Sequence, residues 1–366
     1  MNPPEQTIQE ATTCYEAWMA SRFEITTADL EYKHAKMADA VDAFPFFRGT
    51  YYRWAQWWPL VCPELCDVPI VLAIGDLHLE NFGNWRDSEG RLCWGVNDFD
   101  EADELPFTHD LVRLAASLRF ATLPQSMDVK FKQCCAAILE GYTAALKVGG
   151  DPFVLEEQHL ALRTLAMSAD RDPALFWKKL TKALGQPAVE PPATAMTALL
   201  SHLPDTRLKP EYRYRQRVGM GSLGRPRYVA LVEWAGGWLA REAKAMLPPV
   251  TSWLAGKDSP TRMAEIVTNA HRAPDPFYRP GPDWISRRLA PRCSRIDLAQ
   301  LTAIGDVTLL FRSMGEETAN IHLGSDIEPN SLLGVLEKLP AEWLPKAAKA
   351  MAGCLLADWK AYPQPH

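Results

Sequence analysis

Two short apolar runs, each ending in carboxylates, constrain this chain more than any other feature. Val68-Pro69-Ile70-Val71-Leu72-Ala73-Ile74 leads into Gly75-Asp76, and Leu92-Cys93-Trp94-Gly95-Val96 leads into Asn97-Asp98-Phe99-Asp100. A short, continuous apolar run closed by turn residues has the profile of a buried strand that delivers a loop. Asp and Asn alone often do no more than shape surface turns. Charges just past buried strands, however, are costly unless a cation or donors compensate them. The turn Asp87-Ser88-Glu89-Gly90 reverses the chain between the runs, so the second carboxylate is expected back beside the first.

The spacing in these loops points to a chemistry. Phosphoryl transfer needs an aspartate beside the attacking hydroxyl, plus an Asn and a further Asp that hold Mg²⁺ against nucleotide phosphates. Kinases supply these as D-x-x-x-x-N followed by Asp-Phe at the end of a nearby strand. Asp76 and Asn81, in Gly75-Asp76-Leu77-His78-Leu79-Glu80-Asn81, have that spacing, and Asp98-Phe99 follows. Asp100, Glu101, Asp103 and Glu104 add an acidic rim, which suits either a metal or cationic substrate or an exposed turn.

Gly219-Met220-Gly221-Ser222-Leu223-Gly224 fits G-x-G-x-x-G. A dinucleotide fingerprint must open a helix. Here Arg225-Pro226-Arg227 leads instead into the β-branched and aromatic run Tyr228 to Trp234, and Gly236-Gly237 turns the chain into Trp238 to Lys244. That is a glycine loop within a β-sheet, of the kind that covers phosphates with backbone N–H groups. A phosphate-binding lysine belongs on a following strand, paired with a glutamate on the next helix. Lys244 is the candidate, Arg241 its rival on the opposite strand face, and Glu265 the expected partner.

The remaining pattern places these motifs. A helix is expected over about 6–40, interrupted at Phe44-Pro45-Phe46-Phe47-Arg48-Gly49, with another over about 50–60. Asp110 is expected to cap a helix through Leu118, with helices continuing to about 182. Strand periodicity runs from Arg213 to Lys244, and helices return beyond Pro260 with a strand at Trp284 to Leu289. The proline-rich break at 187–193 marks a lobe boundary. The fold class is therefore α+β, a two-lobed kinase-like fold. Residues 1–200 form a large helical lobe, 201–300 a small β-rich nucleotide-binding lobe, and 301–366 helices returning to the large lobe. The carboxylate loop precedes the glycine loop, the reverse of an ordinary kinase, and a circular permutation accounts for that order.

Composition narrows the partners. A 366-residue chain with 47% apolar and 23% charged residues is that of a globular enzyme. A net charge of −6 argues against nucleic acid, and the run Arg213, Arg215, Arg217 reads as a solvated face. With no basic-then-apolar N-terminal segment and no stretch near the ~18 apolar residues of a membrane span, a cytoplasmic, membrane-free protein is expected. The eight cysteines, including adjacent Cys134 and Cys135, read as reduced thiols, and Cys62-x-x-x-Cys66 lacks a second ligand pair for zinc. Most of the thirteen tryptophans are expected in the core.

The chain resembles the bacterial proteins of domain of unknown function family 2252, placed with kinase-like folds. The resemblance rests on Phe47-Arg48-Gly49, GDLHLENFG from Gly75, NDFDEA from Asn97, HDLVRLAASL from His109, GMGSLG from Gly219 and REAKA from Arg241. GDLHLEN is also similar to the catalytic loop of aminoglycoside and choline phosphotransferases. That similarity implies Asp76 as catalytic base, Asn81 and Asp98 as metal ligands with Asp100 sharing the metal, and Asp110 as a brace for the loop. Gly219, Gly221, Ser222, Gly224, Lys244 and Glu265 would then bind the nucleotide. The expected activity is ATP- and Mg²⁺-dependent phosphotransfer to a small-molecule acceptor, because Asp100 stands where protein kinases carry the glycine after Asp-Phe. Arg48 could bind an anion or form a structural pair. Three rivals stand beside this reading. Asp76-x-His78 suits a two-metal phosphoesterase, although His109, His159, His202, His271 and His322 form no ligand cluster in sequence and His78 reads as a loop brace. A non-catalytic nucleotide-binding regulator and a nucleotidyl transferase would use the same residues.

Overall fold

The hydroxyl of Thr7 accepts the Glu10 amide at 3.2 Å while the Glu10 carboxylate accepts the Thr7 amide at 2.8 Å. This reciprocal capping box starts the first helix. The computed structural model describes residues 4–121, 131–156, 158–166, 172–183, 188–291, 293 and 304–363. The single helix expected over 6–40 is two, α1 (Ile8–Ala20) and α2 (Thr27–Met37). The chain breaks at Ser21–Thr26 because Thr26 turns extended, as β-branched residues prefer, and its hydroxyl bonds Asp29 at 2.7 Å. Phe44–Gly49, expected as an interruption, is itself a short helix, α3, with Pro45 in the first turn, where its missing N–H costs nothing. The aromatic helix α4 (Tyr51–Val61) follows.

The apolar runs form strands as expected. β1 (Ile70–Ala73) pairs antiparallel with β4 (Asp103–Pro106), placing Ala73 opposite Asp103. β2 (Phe82–Arg86) and β3 (Leu92–Val96) form a hairpin with Asn84 opposite Trp94. Helix α5 (Phe107–Ser117) is buried along its whole length. Its N-cap is Pro106, so Asp110 does not cap it as expected; buried in the first turn, the carboxylate serves backbone amides of another segment instead. Helices α6 (Phe131–Val148), α7 (Leu160–Ala166), α8 (Pro173–Ala183) and α9 (Ala193–Leu200) complete this stretch. Pro187 of the proline-rich break lies outside the described residues.

The second half holds an antiparallel five-stranded sheet in the order β5-β6-β7-β9-β8. Its strands are β5 (Glu211–Tyr214), β6 (Arg227–Trp234), β7 (Gly237–Ala245), β8 (Arg279–Pro280) and β9 (Trp284–Leu289). Helices α10 (Val250–Ala255) and α11 (Met263–Asn269) lie between β7 and β8 in sequence. Alternation gives the sheet two covered faces. Val229, Leu231 and Ala240 pack under Phe176, Trp177 and Leu180 of α8, while Ala230 and Ala243 pack on Leu199 of α9.

Three helices end the described chain: α12 (Ile304–His322), α13 (Pro329–Leu336) and α14 (Trp343–Ala361). α12 crosses α6 at glycines: a Cβ on Gly141 would lie 2.0 Å from the Arg312 carbonyl, and one on Gly315 2.0 Å from that of Ile138. The backbones therefore touch directly. α14 is tied to α4 by Arg53, whose Nε meets Asp358 at 2.7 Å in a buried pair. The resulting mixed α+β fold buries Trp54, Trp57, Trp58, Trp85, Trp94 and Trp343, whereas Trp234 and Trp238 stay exposed. All eight cysteines are free thiols. Among the described residues no helix is long and apolar enough to cross a membrane.

Candidate functional site

β1 delivers Asp76 through a backbone that only glycine tolerates. Gly75 has φ +80°, and a Cβ there would lie 2.4 Å from the Glu101 carbonyl. Asp110 accepts the Ile74 amide at 2.7 Å and the Gly75 amide at 2.9 Å, so it braces the loop from beneath. His322, at the end of α12, holds Asp110 through Nε2 at 3.1 Å, and its Nδ1 meets the Tyr142 hydroxyl at 2.9 Å. Burial opposes ionisation of Asp110, but hydrogen bonds from His109 and His322 outweigh it and hold the carboxyl well below its ordinary range.

Asp76 itself rests on Arg113, which sequence reasoning missed. Arg113 Nε and Nη2 donate to Asp76 Oδ1 at 3.0 and 2.6 Å; Nη2 also donates to the Phe47 carbonyl at 2.8 Å. Arg113 is fully buried, with its guanidinium 3.5 Å from the Phe47 ring centroid. Burial nevertheless pushes the Asp76 carboxyl up to about 6 against the pull of Arg113 and Arg48. A carboxylate that titrates near neutral pH is suited to accept a proton.

The other residues of this loop brace one another. Asn81 Oδ1 accepts the His78 amide at 2.5 Å, and the Asn81 carbonyl accepts the Asn97 amide at 2.9 Å. The second contact ties the D-x-x-x-x-N loop to the end of β3. A carbonyl oxygen has two lone pairs, so one remains on Asn81 for a further partner. His78 braces the loop as expected: its Nδ1 lies 3.2 Å from the Glu80 amide and its Nε2 3.3 Å from Arg48 Nε, and the neutral ring accepts from one of the two. Arg48 also pairs with Glu80, which makes it a structural partner at the rim of the site.

Lys244 reaches this site from β7. Its ammonium lies 2.5 Å from Asp100 and 3.3 Å from Asp98. The expected Lys244–Glu265 pair is not formed. Glu265 is half-exposed on α11 and binds Arg262 at 2.7 Å, one turn away, because a buried ammonium takes the carboxylates that converge on it. Arg241 points to the opposite face, as the odd separation requires, donating to the His202 carbonyl at 3.2 Å. Arg225, also unassigned from sequence, bridges Asp100 at 3.2 Å and Glu101 at 3.0 Å. Burial works against ionisation of Asp100, yet Lys244 and Arg225 hold its carboxyl well below the usual range. Burial pushes Glu101 up to about 7.

Two carboxylates that already clasp an ammonium are a hard-oxygen site for a cation. Mg²⁺ is usually held by one or two carboxylates together with waters and substrate phosphates, and Asp98 and Asp100 fit that requirement. Among the described residues no three His, Cys, Asp or Glu side chains converge as a metal cluster, and His78 is committed to the loop.

The glycine loop joins β5 to β6 and closes over the carboxylates. A Cβ on Gly221 would lie 3.2 Å from the Arg48 carbonyl and 3.4 Å from Asp76 Oδ2. Gly219 (φ +76°) sits on Arg227, leaving no room for a side chain, and Arg227 donates to the buried Ser222 hydroxyl. Ser222 is thereby an internal brace. Met220 seats against Gly49, where an added Cβ would come 3.3 Å from its methyl and 2.9 Å from Met37 Sδ. The Phe-Arg-Gly segment is thus the dock for the glycine loop, a role invisible in sequence because its partner lies far along the chain. Arg48, Asp76, Asn81, Asp98, Asp100 and Gly221 line one hollow of ≈ 30 Å³.

Residues 26–184 match the model of a family described as an uncharacterized protein conserved in bacteria, DUF2252, which supports placing this segment in that family. The segment carries Asp76, Asn81, Asp98, Asp100, Asp110 and Arg113, while the glycine loop and Lys244 lie beyond it. No curated protein and no solved structure matches the chain.

Proposed function

We propose that this chain is an ATP- and Mg²⁺-dependent phosphotransferase with a circularly permuted, kinase-like fold, acting on a small-molecule acceptor in the cytoplasm. The observation that carries the reading is the meeting of Gly221, Asp76 and Asp98 in one hollow, with Lys244 against Asp98, from segments more than a hundred residues apart. Further support comes from the sheet, whose first two strands flank the glycine loop and whose third carries the lysine, as in protein kinases. On this reading the lobes are 1–200, 201–300 and the returning helices 301–366.

Each side chain then has a task. Arg113 fixes Asp76 Oδ1, and Oδ2, the oxygen nearer Gly221, accepts the proton of the acceptor hydroxyl as that oxygen attacks the terminal phosphorus. The bond from that phosphorus to the bridging oxygen breaks, and the nucleoside diphosphate leaves with the electron pair. Asp98 and Asp100, with the spare lone pair of Asn81, would hold Mg²⁺, which when bound supplies positive charge to the phosphate oxygens. Lys244 exchanges its carboxylate partners for phosphate. The ≈ 30 Å³ hollow admits about one or two waters, so the glycine loop must lift from Arg48 and Asp76 before a triphosphate enters.

The test is a melting curve with and without millimolar MgATP. A ligand that binds only the folded state stabilises it by about 2.7 kcal/mol at a hundredfold excess over Kd. Wild-type protein is expected to show that shift and Asp98→Ala to lose its metal-dependent part while keeping its unliganded melting temperature. An absent shift in the wild type would end the proposal.

A further inference from the structure

We infer that this cleft takes its ligand by a polyphosphate group and reads no nucleobase, an inference that rests on the phosphotransferase reading above. A nucleobase is ordinarily gripped between apolar or aromatic walls with a few polar groups at its edge. Among the described residues the sheet face next to the glycine loop offers no such wall. Register places Arg227, Glu242, Lys244 and Arg287 on that face, since Arg227 stands opposite Lys244 and Glu242 opposite Arg287.

Glu242 is fully buried and bound by Arg215 at 2.5 Å, Arg227 at 3.2 Å and Arg287 at 2.7 Å. One carboxylate cannot neutralise three guanidiniums, so the four groups keep an excess of positive charge, which Asp98 near Arg287 and Asp100 near Arg227 offset in part. Arg215 and Arg287 retain about a quarter of their side-chain surface, 20% and 28%, so the excess is open to a ligand. The Nε of buried Arg227 and that of Arg215 have no partner among the described residues. Guanidinium forks of this kind match phosphate oxygens.

The apolar remainder of the same face is already covered. Val229, Leu231, Ala240 and Leu289 lie under Phe176, Trp177 and Leu180 of α8. An aromatic hollow lined by Trp85, Phe99 and Tyr278 is already filled from one side by Arg272, which stacks on the Trp85 and Phe99 rings at 4.4 and 5.2 Å. Among the described residues, this face therefore presents guanidiniums suited to phosphate and no uncovered apolar wall suited to a base.

Isothermal titration of the full chain with MgATP, MgGTP, Mg²⁺-tripolyphosphate and adenosine tests this. The three polyphosphates are expected to bind within about threefold of one another, adenosine not at all, and Arg287→Met to weaken the three by a common factor of about five or more. MgATP binding about tenfold or more tighter than both MgGTP and tripolyphosphate would overturn the inference and leave the phosphotransferase reading standing. No binding by any polyphosphate would overturn both.

Discussion

Among the described residues Arg113 is the guanidinium hydrogen-bonded to Asp76, and replacing it by Met leaves a largely buried carboxylate with only the weaker pull of Arg48 to balance it. Breaking a buried pair from one side costs about 3–5 kcal/mol, because the remaining charge is stranded. Asp76 can escape by taking up a proton, and that escape sets the pH dependence. In the wild type its carboxyl is raised from 3.8 to about 6 by burial. A carboxyl raised on folding contributes stability below its unfolded value, and this stability is lost as pH rises through the folded one. In the variant the folded value climbs further, since the arginine that lowered it is gone. Near pH 5.5 both proteins carry Asp76 largely protonated, and the deficit is expected to be only about 1–2 kcal/mol from lost packing and the Phe47 hydrogen bond. From pH 6 upward the variant holds one proton more than the wild type, so the deficit grows by about 1.4 kcal/mol per pH unit, reaching about 3–5 kcal/mol at pH 8. Urea unfolding followed by tryptophan fluorescence at pH 5.5, 7 and 8 measures it. Adding Asp76→Asn to Arg113→Met should abolish the growth, since no group remains to take the proton. A deficit that stays flat from pH 5.5 to 8, or one that grows equally in the double variant, would refute the pairing.

Three further outcomes follow from the same geometry. Gly75→Ala should destabilise by about 2–4 kcal/mol in thermal melts, combining a left-handed backbone with a Cβ driven into the Glu101 carbonyl; a change under about 0.5 kcal/mol would contradict it. Lys244→Met vacates the clasp of Asp98 and Asp100, so Mg²⁺ alone should stabilise the variant more than the wild type, by about 1.4 kcal/mol at tenfold excess over Kd. Equal Mg²⁺ responses would mean that the ammonium and the metal do not share these carboxylates. If Asp76 takes the acceptor proton, MgATP turnover should rise about tenfold from pH 5 to pH 7, following a carboxyl at about 6. A limb confined below pH 5 would assign the base elsewhere.

The carboxylate loops were legible because their signal is local: an apolar strand, a glycine and a fixed spacing from Asp76 to Asn81. Lys244 was legible through alternation, which separates it from Arg241 on one strand. Its partner was not, since Glu265 has the right sequence position but Asp98 and Asp100 reach the ammonium through a different part of the chain. Asp110 shows a related failure. An aspartate in the first turn of a helix reads as a cap, but a helix buried on every side spends that carboxylate on Ile74 and Gly75. Arg113, Arg225 and Arg227 sat inside recognisable segments without any pattern to say which charges they would meet. The glycine crossing of α6 and α12 was equally silent, because a single glycine in a helix looks like a weak point until its neighbour is known.

The hold of His322 on Asp110 carries a consequence for how the molecule comes into being. Asp110 pins the turn at Gly75, yet the ring that steadies Asp110 is synthesised more than two hundred residues later. A chain still emerging from the ribosome has its acids but not their final footing. On the phosphotransferase reading, the turn that carries Asp76 therefore lacks part of its support until residue 322 has been made.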